Sequence, residues 1–167
     1  MIWDPPTEAD YEALENQLGR PMRGLVGIAA RCACGAPAVV VTTPRLPDGT
    51  PFPTLYYMSL PEGTKEASRL EAAGKMVEYQ QRLTEDAEAK ALYEMAHESF
   101  LHTRAQLGVV DAIEGISAGG MPDRVKCLHS LMAHSLAVGA GVNPVGDWAL
   151  ADSSWSIEKC QCRPDDH

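Results

Sequence analysis

No stretch of this sequence is apolar for long enough to cross a bilayer, since no run approaches the roughly 18–20 residues that a spanning helix needs. The opening residues, MIWDPPTEAD, are acidic and proline-rich and lack both the basic start and the apolar stretch of a secretory leader. A cytoplasmic location without membrane contact is therefore expected. Basic residues are also scarce: Lys and Arg total 14 against 23 Asp and Glu, a formal charge of -9. Such a surface repels phosphate backbones, so nucleic acid is not an expected partner, although a local basic patch can still hold a small anion. Internal repeats are missing, as is any linker long enough to divide the chain. One domain over residues 1–167 is expected, with a tail from about residue 152 that a metal would tie down. The 45% of apolar residues marks a globular chain.

The local signals divide into a strand-rich first third and a helical remainder. Thr7, with Asp10 three residues on, is a natural N-cap, and Gly19 before Arg20-Pro21 stops that first helix. GLVGIAARC and APAVVVTTPRL read as two short strands joined through CACG, and a reversal over Pro47–Gly49 leads to a third, PTLYYMSL. After Pro61 the apolar spacing becomes helical, first over residues 64–86 with a break at Gly74, then over 88–108 ending at Gly108. Pro122 suits the first turn of a further helix, and a short helix and polar tail close the chain. The expected fold class is α+β: a small, mostly antiparallel sheet of about three strands packed with four to six helices.

Five cysteines in a chain of this kind point to free thiols or metal ligands before disulfides, and the odd count agrees. Three short pairs stand out: Cys32-x-Cys34, Cys127-x-His129 and Cys160-x-Cys162. A tight reversal between strands presents two thiolates toward one point, as in zinc knuckles, although a single intervening residue is less specific than the usual two or more. The plain alternative is a set of buried, inert thiols. On a helix from Pro122, Val125, Leu128, Met132 and Leu136 form one apolar face, and Cys127, Leu131, His134 and Val138 line another. Covering on two faces would follow. Cys127 and His134 would lie about 10.5 Å apart along the axis, which argues against one metal taking both. A site joining Cys127 to the thiols of Cys32, Cys34, Cys160 and Cys162 is the easier construction, with zinc as the expected ion and an iron–sulfur cluster as the alternative. His97 and His102 fit ordinary surface or core positions.

GISAGGMPDRVK supplies flexible glycines at an expected helix N-terminus, where free amides favour an anion. Arg124 and Lys126 would add charge, and His129 and His134 could move protons. Neither the Walker spacing nor the dinucleotide fingerprint is present. The plain alternative is a loop leading into a proline-started helix. A nucleophilic Cys127 with a histidine base is a further reading that no surrounding signature supports.

The stretches LGRPMRGLVGIAARCACGAPAVVVTTPRLPDGTPFPTLYYMSLP, SRLEAAG and GISAGGMPDRVKCLHSLMAHSLAVGAGVNPVGD together resemble the uncharacterised bacterial domain-of-unknown-function family 501, of actinobacterial type. The resemblance runs from about Leu18 to Asp147 and implies no activity. It implies a setting, because genes of the family often lie beside those for enolase, a septum-formation initiator and an exopolyphosphatase-like protein. It also implies one terminal cysteine near the position of Cys160, which puts Cys162 outside the pattern. Two functions are expected from all this. The first is a cytoplasmic, thiolate-rich metal-binding domain with a regulatory or interaction role linked to cell division, its partner a protein. The alternative is a small hydrolase or transferase acting on a phosphorylated or other anionic substrate.

Overall fold

The chain begins with a capped helix, in a computed structural model that describes residues 3–167. In α1 (Glu8–Leu18), Thr7 Oγ1 accepts the Asp10 amide at 3.2 Å and Asp10 Oδ2 accepts the Thr7 amide at 3.0 Å. Two of the amides that a helix start leaves free are thus satisfied reciprocally. Gly19, at φ 72°, closes the helix in the left-handed conformation that glycine adopts without a Cβ penalty.

Strands β1 (Leu25–Arg31), β2 (Pro37–Thr42) and β3 (Tyr56–Met58) form an antiparallel sheet in that order, with Ile28 opposite Val40 and Val39 opposite Met58. The central strand is buried at every residue. Val39 and Val41 face the main core, while Val40 packs with Leu14 and Ile28 on the α1 side, as the two-residue period of a strand requires. Asp10 fixes α1 to the end of β1: its two carboxylate oxygens take Arg31 at 2.8 and 3.0 Å.

Five helices follow: α2 (Pro61–Ala72), α3 (Lys75–Glu85), α4 (Ala87–Leu107), α5 (Leu128–Val138) and α6 (Pro144–Asp152). With short 3-10 turns at Asp111–Ile113 and Pro164–Asp166, this is an α+β fold. The break between α2 and α3 falls at Gly74, with φ 79°. Helix α5 is packed between the sheet and α6, covered on two faces as its sequence implies. Among the described residues no helix is long and apolar enough to cross a membrane.

The expected helix start at Pro122 is corrected. Residues 122–127 are non-helical, and the Lys126 amide, which would close the first turn on Pro122 O, is committed elsewhere. Arg124 N–H donates to Gly120 O at 2.8 Å, Lys126 N–H to Gly119 O at 2.7 Å, and Val125 N–H to Gln80 Oε1 at 3.0 Å. Helix α5 starts only at Leu128.

The tail beyond α6 folds back over the start of the chain. Trp155 is buried against Gly63, where a Cβ would come within 3.2 Å of its ring. Ser154 N–H donates to Glu66 Oε1 at 2.6 Å, and Ala33 N–H to Ile157 O at 3.0 Å. At the end, Gln17 Nε2 donates to Asp166 O at 2.9 Å and Asn16 Nδ2 to His167 O at 2.6 Å.

Candidate metal centre

The reversal after β1 is built by Cys32 itself: its N–H donates to Ala36 O at 2.9 Å and its carbonyl accepts Gly35 N–H at 2.8 Å. Gly35 takes φ 93°, which a side chain would resist. This tight turn leaves Cys32 only 3% exposed and Cys34 at the surface. The bond from Ala33 to Ile157 draws the tail alongside, so Cys160 and Cys162 arrive at the same place. The four sulfurs, from opposite ends of the sequence, all lie within 4.8 Å of one another.

Their separations identify what the cluster suits. Cys162 Sγ is 3.5 Å from Cys32 Sγ and 3.7 Å from Cys34 Sγ. A disulfide requires about 2.05 Å. A tetrahedral ion with metal–sulfur bonds of about 2.3 Å places its ligands about 3.8 Å apart. The thiols are free, and the cluster has the dimensions of a four-thiolate metal cage. Cys162 thus stands close to both thiols of the reversal. Burial pushes the Cys32 and Cys162 thiols up, and for Cys162 the neighbouring sulfurs push further, while the Cys162 amide lowers Cys160. A dication among them would stabilise all four thiolates together.

Cys127 does not join this group, contrary to the expected five-thiol set. It stands with Glu71, from α2, and His129, in a second group whose ligand atoms also lie within 4.8 Å of one another. Cys127 is the N-cap of α5, and the first amide of that helix, Leu128 N–H, donates to Glu71 Oε2 at 2.9 Å. The anion at this helix start is thus the protein's own carboxylate. Glu71 Oε2 also lies 3.3 Å from His129 Nδ1, and His129 Nε2 lies 3.2 Å from Ser68 Oγ. Ser130 Oγ donates to Cys127 Sγ at 3.5 Å. Burial pushes the Cys127 thiol up, but its hydrogen bonds to His129 and Ser130 outweigh this and leave it lowered. His129 is raised by the Cys127 thiol, against burial and with help from Glu71.

His134 is not beside these groups. It is 1% exposed, stacked on Tyr56 at 5.7 Å and edge-on to Phe100 at 5.4 Å, with Asn143 Nδ2 donating to its Nδ1 at 3.1 Å. Arg124 and Lys126 are exposed and line an open groove together with Met76, Val77 and Val125. The expected assembly of Arg124, Lys126, His129 and His134 around one anion is corrected accordingly, because His134 belongs to the core. Sequence reasoning missed Ser68 and Glu71, whose one local signal is their i,i+3 spacing on a face of α2. His97 is buried, with Nδ1 2.7 Å from Ser117 Oγ, and His102 is exposed.

The fold and the two pairs of thiols define an α+β protein with a four-cysteine cluster compatible with metal binding. The chain belongs to the family described as protein of unknown function (DUF501), whose model matches residues 28–151. That match contains Cys32, Cys34, Cys127 and His129 and ends before Cys160. No curated protein and no solved structure matches the chain.

Proposed function

We propose that this protein is a cytoplasmic zinc-binding domain in which Cys32, Cys34, Cys160 and Cys162 hold one structural ion that fastens the tail to the reversal after β1. The observation that carries the reading is the pair of sulfur separations, 3.5 and 3.7 Å, close to the edge of a zinc–thiolate tetrahedron and far from a disulfide. Four thiolates fill the coordination sphere, so the ion would act as a clasp and leave no position for a substrate. The role in this reading is regulatory or interactive. Arg124 and Lys126 beside the apolar side chains of Met76, Val77 and Val125 suit a partner segment with acidic and apolar residues.

Metal analysis of the purified protein tests this. One equivalent of zinc bound through these thiols is expected, and visible charge-transfer absorption from bound iron would assign the iron–sulfur alternative instead. At a thousandfold excess of free metal over its dissociation constant, binding adds about 4 kcal/mol to the folded state. Chelation should therefore lower the melting temperature by roughly 8–16 °C for a chain of this size, and Cys160→Ser should do the same. A melting curve indifferent to both rejects the clasp.

A further inference from the structure

We propose that Glu71, Cys127 and His129 form a second metal site of a different kind, one that takes a divalent ion of the zinc class and keeps its fourth position open. Three donors of three types converge there from two elements, α2 and the start of α5, with their ligand atoms within 4.8 Å of one another. The 3.3 Å between His129 Nδ1 and Glu71 Oε2 is long for a charge-assisted hydrogen bond, which runs about 2.7–2.9 Å. It matches the edge of about 3.3–3.4 Å that metal–nitrogen and metal–oxygen bonds of about 2.0–2.2 Å subtend at a tetrahedral ion.

Each donor also has its own outer partner, the arrangement that orients ligands around a metal. Leu128 N–H holds Glu71 Oε2 at 2.9 Å. Ser130 Oγ donates to Cys127 Sγ at 3.5 Å. Ser68 Oγ lies 3.2 Å from His129 Nε2, so that with Nε2–H donating to the serine the Nδ1 lone pair faces the other two donors. A sulfur, a nitrogen and an oxygen together select a borderline ion such as zinc over calcium or magnesium. The side chains of His129 and Glu71 remain 33% and 24% exposed, so water or a small ligand can reach the ion from solvent. Three protein ligands with one accessible position characterise a site that acts on something, in contrast to the closed four-thiol cage.

The test is metal content of the full-length protein dialysed against zinc, for wild type, Cys127→Ser, Cys32→Ser, Glu71→Gln and Ser68→Ala. Two equivalents in wild type and one in Cys127→Ser are expected. Ser68→Ala should keep both sites but weaken the second about 10–100-fold. Glu71→Gln keeps an acceptor for the Leu128 amide, so loss of the second equivalent in this folded variant reports a ligand and not a failed helix start. One equivalent in wild type, unchanged by Cys127→Ser and Glu71→Gln and lost with Cys32→Ser, overturns the second site and leaves the clasp standing. One equivalent lost with Cys127→Ser and kept with Cys32→Ser does the reverse. No zinc in any form overturns both.

Discussion

His129 and His134 sit five residues apart on one helix, and their surroundings move them in opposite directions. At the first turn of α5, the Cys127 thiol raises His129, with Glu71 adding to the effect. In the middle of the same helix, burial pushes His134 down to about 4. The first turn meets solvent and receives its partners from α2, whereas the middle is enclosed between β3 and α6. Residue type does not separate the two. What separates them is whether a thiol and a carboxylate reach the ring at a partly open helix start, or aromatic side chains and a neutral amide enclose it in the core. The chemistry-bearing stretch Met121–Ala137 therefore splits into a site at its helix start and a core segment beyond it.

The sharpest way to break that division is to disturb the middle without touching the start. Gly146, in α6, sits so close to α5 that a Cβ there would overlap the Leu131 carbonyl and Ser135 Oγ. Backbone cannot swing aside as a side chain can, so Gly146→Ala should cost about 3 kcal/mol, at the upper end of overpacking penalties. Denaturant titration measures it. A cost below about 1 kcal/mol would mean that α5 and α6 are not locked together as described.

The next effect is a pH dependence. His134 has a folded pKa of about 4 against an ordinary value of 6.5. Between these values the unfolded chain binds the proton that the folded chain refuses, so stability falls as pH drops. At 1.36 kcal/mol per unit, the loss is about 2 kcal/mol by pH 5 and about 3 kcal/mol below pH 4. Asp147 opposes the shift but does not reverse it. His134→Gln should flatten this part of the stability profile measured by denaturant titration from pH 7 to 4. An unchanged slope would place its origin elsewhere.

How much of this was legible in the sequence follows the range of the interaction. The capping pair Thr7 and Asp10, the stop at Gly19 and the break at Gly74 are local signals, and the structure has each of them in place. The two C-x-C pairs stand out in the sequence as closely spaced thiols, and the structure brings all four sulfurs within 4.8 Å of one another, a group that could hold a metal ion. The start of α5 was not legible. Pro122 carries a helix-start signal, but the Lys126 amide that would close the first turn is held by Gly119 O, and Gln80, from another helix, takes the Val125 amide. Glu71 lies 56 residues from Cys127 in the sequence, and nothing near either residue indicates that they meet. For the same reason the sequence alone groups Cys127 with the other thiols: a sulfur looks alike wherever the chain carries it.

The smallest effect sharpens the comparison at the other end of α5. In protein freed of metal, His129 owes its raised pKa first to Cys127 and then to Glu71, with burial acting against both. Its protonated form is favoured in the fold, so the stabilisation is fully present below the ordinary value of 6.5 and is lost as pH rises through the folded pKa. That sign is opposite to the one for His134. The group is a third exposed, so solvent screens the pair, and its stability contribution should be about 0.2–1 kcal/mol. Calorimetry would barely register this, but the imidazole proton resonances would. In metal-free Cys127→Ser the His129 midpoint should fall toward its ordinary value, and in Glu71→Gln it should fall by less, because the thiol is the larger cause. His134 should titrate identically in both variants, since neither touches its ring. A His129 midpoint indifferent to Cys127→Ser would remove the thiol as its partner. A His134 midpoint that moved with it would show that the two halves of α5 are one electrostatic unit, and the division between site and core would fail.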